Sequence, residues 1–549
     1  MEHLKNHTCV QIRNTGSASL GNYTCRRRIH SSIRYFNAKE FRTFSSKSAK
    51  PAGLEALEQL NLENKKNTDK INTNLIKLLT NQDVLMAAYT KIKSNPRNKI
   101  NNIPNKPSDV INEKWFISVK KDIAIGTFQF RQIESTKLGR DPLNTMSLRD
   151  KTIQEAMRMI IEAIYEPTFN TIAHGSNPNE NCHSTLKYIK RNFGETRWFI
   201  TGNVSNCFNT INYKILIKQL KKRINDQPFL DILYKGLKIG YIVQDYAPKQ
   251  FMKHNIPQKS ILSPLLCNIY LNQFDTWMET NINEYKKNNT IAPLLATGYI
   301  KTVKKKLKHA NEEVDKSHQI NSGINILYHT VNNNFRQMRY ARYADDFIIG
   351  INGSKEDCTK QKQKIISFMT NELKFDFNEE KIKITHAITE LTNFLDTDIR
   401  LTSYNKQPIK KIFSKNIKIT HHIQMLAPIT KIVNTLKQNG FLINDRITGI
   451  PKLQKFEESK IVNYYNTIAA KILNYYTFVY NYTRTCTRIN YILKYSCALT
   501  LARKMKLKTK KKVFQKYGIN LTIKNEQNKI ITQYYINTAL TKNEHKKKK

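Results

Sequence analysis

The chain has 549 residues, 40% of them apolar, which is enough to build the cores of two or three domains and excludes a disordered tail. Its 91 Lys and Arg against 43 Asp and Glu leave a formal net charge of +48, a surplus that repels itself in a compact chain without a polyanionic ligand; nucleic acid is the expected counterion, although abundant Lys, Asn and Ile also fit an AT-rich gene. No apolar run reaches the roughly 18 residues of a membrane span, and the eight cysteines form no CxxC pair, which argues against a zinc site and a disulfide framework.

Residues 1-50 carry only Glu2 and Glu40 as acids and contain CRRRIHSSIRYF and FRTFSSKSAK, the Arg- and Ser-rich, acid-poor character of a mitochondrial presequence. The alternative is a gene that lies inside the organelle. Apolar spacing through Leu75, Leu78, Leu79, Leu85, Met86 and Tyr89 predicts helix within 53-95, broken at Asn95-Pro96. Residues 280-335 are polar and lysine-rich, expected as a loop or peripheral helices. In RYARYADDFIIG, 339-350, both flanks favour extended structure and Asp345-Asp346 suits a tight hairpin tip. Two adjacent carboxylates repel and are stable where a divalent cation neutralises them; a plain surface turn is the other reading.

Farther along, Ile489, Ile492, Leu493, Leu499, Leu501 and Ala502 form an apolar helical face, and Arg503, Lys504, Lys506, Lys508, Lys510, Lys511 and Lys512 follow it. This predicts a buried helix leading into a cationic arm. With Arg488, these cations are candidate RNA-phosphate contacts, against the alternative of a solvated lysine run. Tyr475, Tyr476, Tyr480 and Tyr482 lie near Arg484 and Arg488; such a stripe stacks unpaired bases or, more often at helical spacing, packs a core.

Five blocks in order carry a resemblance to reverse transcriptases. MSLRDKTIQEAMRMIIEAIYEPTF (146-169) is similar to the helix that opens the fingers, and WFITGNVSNCFNTINYKIL (198-216) to the block that supplies the first metal-binding Asp. IPQKSILSPLLCNIYLNQFD (256-275) resembles PQG-x-x-SPLL-x-NIYL, 339-350 the YADD turn, and FLDTDI (394-399) the FLG-x-x-I block. After them, 405-520 resembles the maturase segment called domain X, most strongly in RINYILKYSCALTLARKMKLKTKKKVFQKYG (488-518). From about residue 65 to about 520 the chain resembles mitochondrial group II intron reverse transcriptase/maturases.

That resemblance implies an α+β fold, a right-hand polymerase (reverse transcriptase) fingers and palm followed by an α-helical maturase (domain X/thumb) region. The implied division is a basic N-terminal extension, 1-50; a helical/fingers region, 51-135; fingers and palm, 136-400, with the insertion 280-335; domain X, 405-520; and a basic C-terminal tail, 521-549. It implies group II intron RNA as the partner and the mitochondrial matrix as the location, with no membrane association; a homodimer is plausible on general grounds. Many family members end in a Cys/His-rich DNA endonuclease domain. This chain ends in NEHKKKK, so cleavage of target DNA is not expected.

In the family, carboxylates from two strands hold two Mg²⁺ ions that activate the attacking 3′-hydroxyl and stabilise the leaving pyrophosphate. Asp345 and Asp346 match one strand, but Asn203 stands in place of the first Asp and Phe208-Asn209 in place of Phe-Asp. Lys259 replaces the Gly of PQG, where a side chain crowds the approach of the nucleotide. Asp141 replaces a basic residue in GRDPLNT, with Arg140 beside it, and Ser176-Asn177 replace Phe-Arg in HGSNP. An amide is neutral and a weak ligand, so the expected rate loss is on the order of a hundredfold or more. Asp345 and Asp346 are then vestigial metal ligands, and Mg²⁺ is a cofactor only if the polymerase site is active. The expected function is a maturase that binds intron RNA and assists its splicing. The alternatives are an active RNA-directed DNA polymerase of a mobile intron and a general non-enzymatic mitochondrial RNA-binding protein.

Overall fold

The structure, a computed structural model, describes residues 51–534 apart from 95–112, 132, 137–142, 146, 170–180, 205–209, 239–240, 244–250, 253–259, 288–335, 376–378 and 406–418. Outside the described residues lie the presequence-like segment and the departures at 140–141, 176–177, 208–209 and 259. The chain divides into two compact units, one reaching Thr392 and including Leu401–His422, the other holding Asn393–Arg400 and the chain from Ile423 onward.

The first unit begins with α1 (Ala52–Lys66), α2 (Leu75–Leu79), α3 (Gln82–Ser94) and α4 (Glu113–Ile125). Leu75, Leu79 and Leu85 are buried as their spacing predicts, but Met86 is 43% exposed. Val84, Leu85, Ala88 and Ile92 make the inner stripe of α3, and at 3.6 residues per turn Met86 falls on the opposite side. Strands β1 (Ile133–Thr136), β2 (Leu143–Thr145), β4 (Tyr241–Val243) and β5 (Phe251–Met252) form a small sheet of order β2-β1-β4-β5. Helix α5 (Leu148–Tyr165), the expected fingers helix, starts on a Ser147 cap whose hydroxyl accepts from the Asp150 amide at 3.1 Å. It is buried on nearly every side, with Arg158 paired to Glu155 and Glu162 at 2.9 and 2.6 Å.

Helices α6 (Cys182–Asn192), α9 (Ser263–Lys287) and α10 (Lys355–Asn371) pack on the main sheet, while α7 (Tyr213–Lys221) packs on α9 and α8 (Gln227–Leu237) on α2. That sheet is antiparallel, with β3 (Trp198–Asn203), β6 (Gln337–Tyr343), β7 (Asp346–Asn352) and β8 (Ile382–His386) in the order β6-β7-β3-β8. Strand β7 is central and covered on both faces, which is why Phe347, Ile348 and Ile349 run without polar alternation. At Gly350 an added Cβ would lie 2.5 Å from the Thr196 hydroxyl and 2.6 Å from the Phe193 ring, so only glycine fits. Helix α9 continues to Lys287 with Asn281, Ile282 and Tyr285 buried. The start of the proposed insertion at 280 is therefore corrected: 280–287 complete a packed helix, because these side chains fill the core.

Strands β9 (Thr392–Phe394), β10 (Thr397–Asn405) and β11 (Ile419–Leu426) pair in the order β11-β10-β9. The second unit then carries α11 (Ile429–Gln438), the hairpin β12 (Leu442–Ile443) and β13 (Arg446–Ile447), α12 (Glu458–Tyr475), α13 (Tyr482–Lys504), α14 (Lys510–Tyr517), and the hairpin β14 (Ile523–Lys524) and β15 (Ile530–Thr532). It has its own apolar core, in which Ile489, Ile492, Leu493 and Leu501 are fully covered, while Leu499 is half-buried.

Two expectations are corrected here. Lys510, Lys511 and Lys512 of the expected cationic arm are the first turn of α14, because Val513 and Tyr517, four residues apart, bury one face of that helix. The boundary at 520 is also wrong for the tail: Leu521, Ile523 and Tyr534 are buried in the second unit and the chain stays folded through β15. Cys182, Cys358, Cys486 and Cys497 are buried free thiols.

Candidate polymerase centre and nucleic-acid surface

The hairpin tip falls one residue earlier than the expected Asp345-Asp346, because Asp346 is already paired with Tyr343 as the first residue of β7. Tyr343 pairs with Asp346 across the β6/β7 hairpin, leaving Ala344 and Asp345 as its two-residue tip, with Ala344 at φ +56°. On the other edge of β7, Asn203, the last residue of β3, pairs with Asp346. Two neighbouring registers therefore bring Asn203, Asp345 and Asp346 together. The Asn203 amide donates to the Asp346 carboxylate and, at 3.5 Å, to Asp345 Oδ2. The Val204 amide donates to the Asp345 carbonyl at 2.9 Å, tying the end of β3 to the hairpin tip.

Behind the tip lies an ion pair that sequence reasoning missed. Arg342 and Asp275 are both buried, at 2% and 0% exposure, with guanidinium and carboxylate 2.5 Å apart. Arg342 Nε donates to Asp275 Oδ1 at 2.8 Å, and the Tyr340 hydroxyl donates to the same oxygen at 2.7 Å. A further guanidinium nitrogen reaches Asn268 Oδ1 at 3.3 Å and the Ala344 carbonyl at 2.6 Å. Burial opposes the Arg342 charge, but the Asp275 carboxylate outweighs it and holds the guanidinium pKa above its ordinary value. Burial, with the Asp275 charge added, pushes the Tyr340 phenol well above its usual range, so the phenol stays a donor. The available signal was an Asp in the helix block and an Arg inside an apolar strand. Neither residue names its partner in the sequence.

The set fits a divalent metal poorly. It offers two carboxylates and an amide whose N–H groups point at those carboxylates, the place a cation would take. Among the described residues, no group of three or more His, Cys, Asp or Glu could hold a metal ion. Burial pushes the Cys358 thiol up to about 12, leaving it protonated.

In the second unit, Arg488, Arg503, Lys506, Lys508, Lys510, Lys511 and Lys512 are exposed, and Lys504 is half-buried. Arg503 donates to the Gly449 carbonyl at 3.1 Å and Lys504 to the Gln454 carbonyl at 3.4 Å, so both also brace the segment after β13. The tyrosine stripe divides. Tyr476 and Tyr482 are buried, the Tyr475 and Tyr476 hydroxyls donate to the Leu395 and Asp396 carbonyls, and Tyr480 is 77% exposed. Three of the four tyrosines thus pack, and the hydroxyls of Tyr475 and Tyr476 hold the turn of the FLDTDI block, where Leu395 and Asp396 adopt φ +50° and +54°.

A carboxylate hairpin on an antiparallel palm, framed by a fingers helix, defines a template-directed polymerase fold. A model of the reverse transcriptase (RNA-dependent DNA polymerase) family matches residues 140–446, and one of the type II intron maturase family matches 420–549. The putative COX1/OXI3 intron 1 protein of Saccharomyces cerevisiae is 34% identical over 508 residues, 90% of this chain and 60% of that protein. The intron 2 protein of the same yeast is 34% identical, over 92% of this chain and 62% of that protein. The group II intron-encoded protein LtrA of Lactococcus lactis is 29% identical, over 82% of this chain and 78% of that protein. The chain belongs to the group II intron reverse transcriptase/maturase family. It spans about three fifths of the length of the two yeast relatives.

Proposed function

We propose that this protein binds group II intron RNA in the mitochondrial matrix and assists its splicing, with a palm that serves as scaffold and not as polymerase. The observation that carries this reading is Asn203: it occupies the register position opposite Asp346 and brings a neutral amide to the carboxylate pair. Two-metal phosphoryl transfer needs negative charge there. Splicing by a group II intron belongs to the RNA, so a maturase can lose protein carboxylates while keeping its cationic surfaces. Relatives described as mitochondrial in Marchantia polymorpha and Arabidopsis thaliana support the location. No helix among the described residues is long and apolar enough to cross a membrane.

The test is sequencing of mitochondrial RNA after loss of the protein, with add-back of the wild type and of the Asp345→Ala, Asp346→Ala double variant. Accumulation of unspliced precursor, rescued by both proteins, is the expected result. Splicing that never changes sinks the maturase reading. The intact hairpin geometry of Asp345 and Asp346 favours one competitor, an active reverse transcriptase, and primer extension abolished by Asp345→Ala would establish it.

The lysines of α14 stand at the positive end of a helix dipole, an unfavourable placement that a bound anion relieves. Replacing Lys510, Lys511 and Lys512 together by Ala is expected to weaken intron binding and to flatten the log affinity against log salt plot by up to about one per lysine. A titration series with unchanged slope would remove these lysines from the interface.

A further inference from the structure

We infer that α13 and the start of α14 carry a stacking site for an unpaired RNA base, with Tyr491 as its platform. The inference deepens the maturase reading and rests on it for the identity of the RNA. Arg484, Arg488, Tyr491 and Tyr495 follow one another at spacings of four, three and four, which aligns them along one stripe of α13. Both arginines are exposed, Tyr491 is 48% exposed and Tyr495 is half-buried.

Tyr495 is fixed by its neighbours. Its ring meets Phe514 of α14 edge-on at 5.7 Å, and the Lys510 ammonium lies over it, 4.8 Å from the centroid. Tyr491 leans on Tyr495 with 4.7 Å between ring centroids at 46°. The outer ring is therefore held in place while half of its surface stays open. Tyr495, Lys510, Lys511 and Phe514 border a depression of about 420 Å³ on the Tyr495 side of the pair.

Charge selects the occupant. Neither α13 nor α14 contains an Asp or Glu, while cations lie at both ends of the aromatic pair. A protein partner would need an unusually acidic face to match that surface. A single-stranded polyanion supplies phosphates at the spacing of its bases, and each base has a π-face for the ring. A duplex does not, because its bases are stacked internally. Stacking of this kind is tolerant of base identity, so the site reads an unpaired nucleotide without reading its sequence.

The test uses the full chain and two probes, a fluorescent oligouridine of about a dozen nucleotides and a blunt duplex of the same length. Tyr491→Ala is expected to weaken oligouridine binding about tenfold, leaving duplex binding and the salt slope unchanged. Tyr491→Trp should retain the affinity, and 4-thiouridine crosslinks should fall on the peptide that contains Tyr491. Wild-type affinity in Tyr491→Ala, or equal losses for both probes, overturns the site. Preference for an intron transcript over a non-intron transcript of equal length is read on the same proteins. Its absence counts against the maturase reading, whereas the Tyr491 result bears on the stacking site alone.

Discussion

Replacing Arg342 by Ala is expected to destabilise the palm unit by about 3–5 kcal/mol. The guanidinium is the counter-charge of Asp275 and also a donor to the Ala344 carbonyl at the hairpin tip. Truncation leaves the carboxylate in a site with 0% exposure and only the Tyr340 hydroxyl still donating to it. An uncompensated buried charge is far costlier than an absent pair, so Arg342→Met combined with Asp275→Leu should recover much of the loss. Urea unfolding followed by tryptophan fluorescence is the measurement. Trp115, Trp198 and Trp277, the only three tryptophans, all belong to the first unit, so their signal reports the palm side of the chain alone. If Arg342→Ala unfolds at the wild-type midpoint, the network does not hold the hairpin.

Asn203→Asp is expected to make the stability of the palm depend on a divalent metal. The amide now donates to both carboxylates, and an added Asp would replace those donors with a third negative charge. In chelator the variant should be less stable than the wild type. Mn²⁺ or Mg²⁺ at a hundredfold excess over its dissociation constant should then return about 2.7 kcal/mol, since a ligand stabilises the state that binds it. The wild type should show no such response at matched ionic strength. Stabilisation of the wild type by Mg²⁺ would mean that two carboxylates and an amide suffice for a metal site, and the scaffold reading of the palm would fall. An unresponsive Asn203→Asp variant would mean that the three side chains do not converge in solution as they do in the structure.

These two predictions draw on different kinds of legibility. Asn203 was readable because motif position alone places it opposite the YADD turn, and the β3/β7 register puts it there. Arg342 was not readable, although it lies inside the same motif. Its partner is 67 residues away on α9, and nothing local marks an Asp at the end of an amphipathic block as the mate of an arginine in a buried strand. Tyr491 was passed over for a related reason. Among several tyrosines near arginines, exposure decides which ring can stack, and exposure is set by what packs across α13.

Local errors followed the same division. Apolar periodicity located the buried face of α13, since side chains three and four apart share a face whatever surrounds them. It could not tell that Met86 would point outward, that 280–287 would extend α9, or that the lysine run would begin a second helix. The sequence by itself determined the family, the order of the fingers, palm and maturase blocks, the positions of the two acids and the missing third, and the cationic character of the surface, because each is a property of residue type and spacing along the chain. Only the tertiary structure decided which charges are buried and paired, which tyrosines are braces and which is open, and where the Asn203 amide points. Those depend on contacts between segments far apart in the chain, whose mutual distances local propensity does not encode.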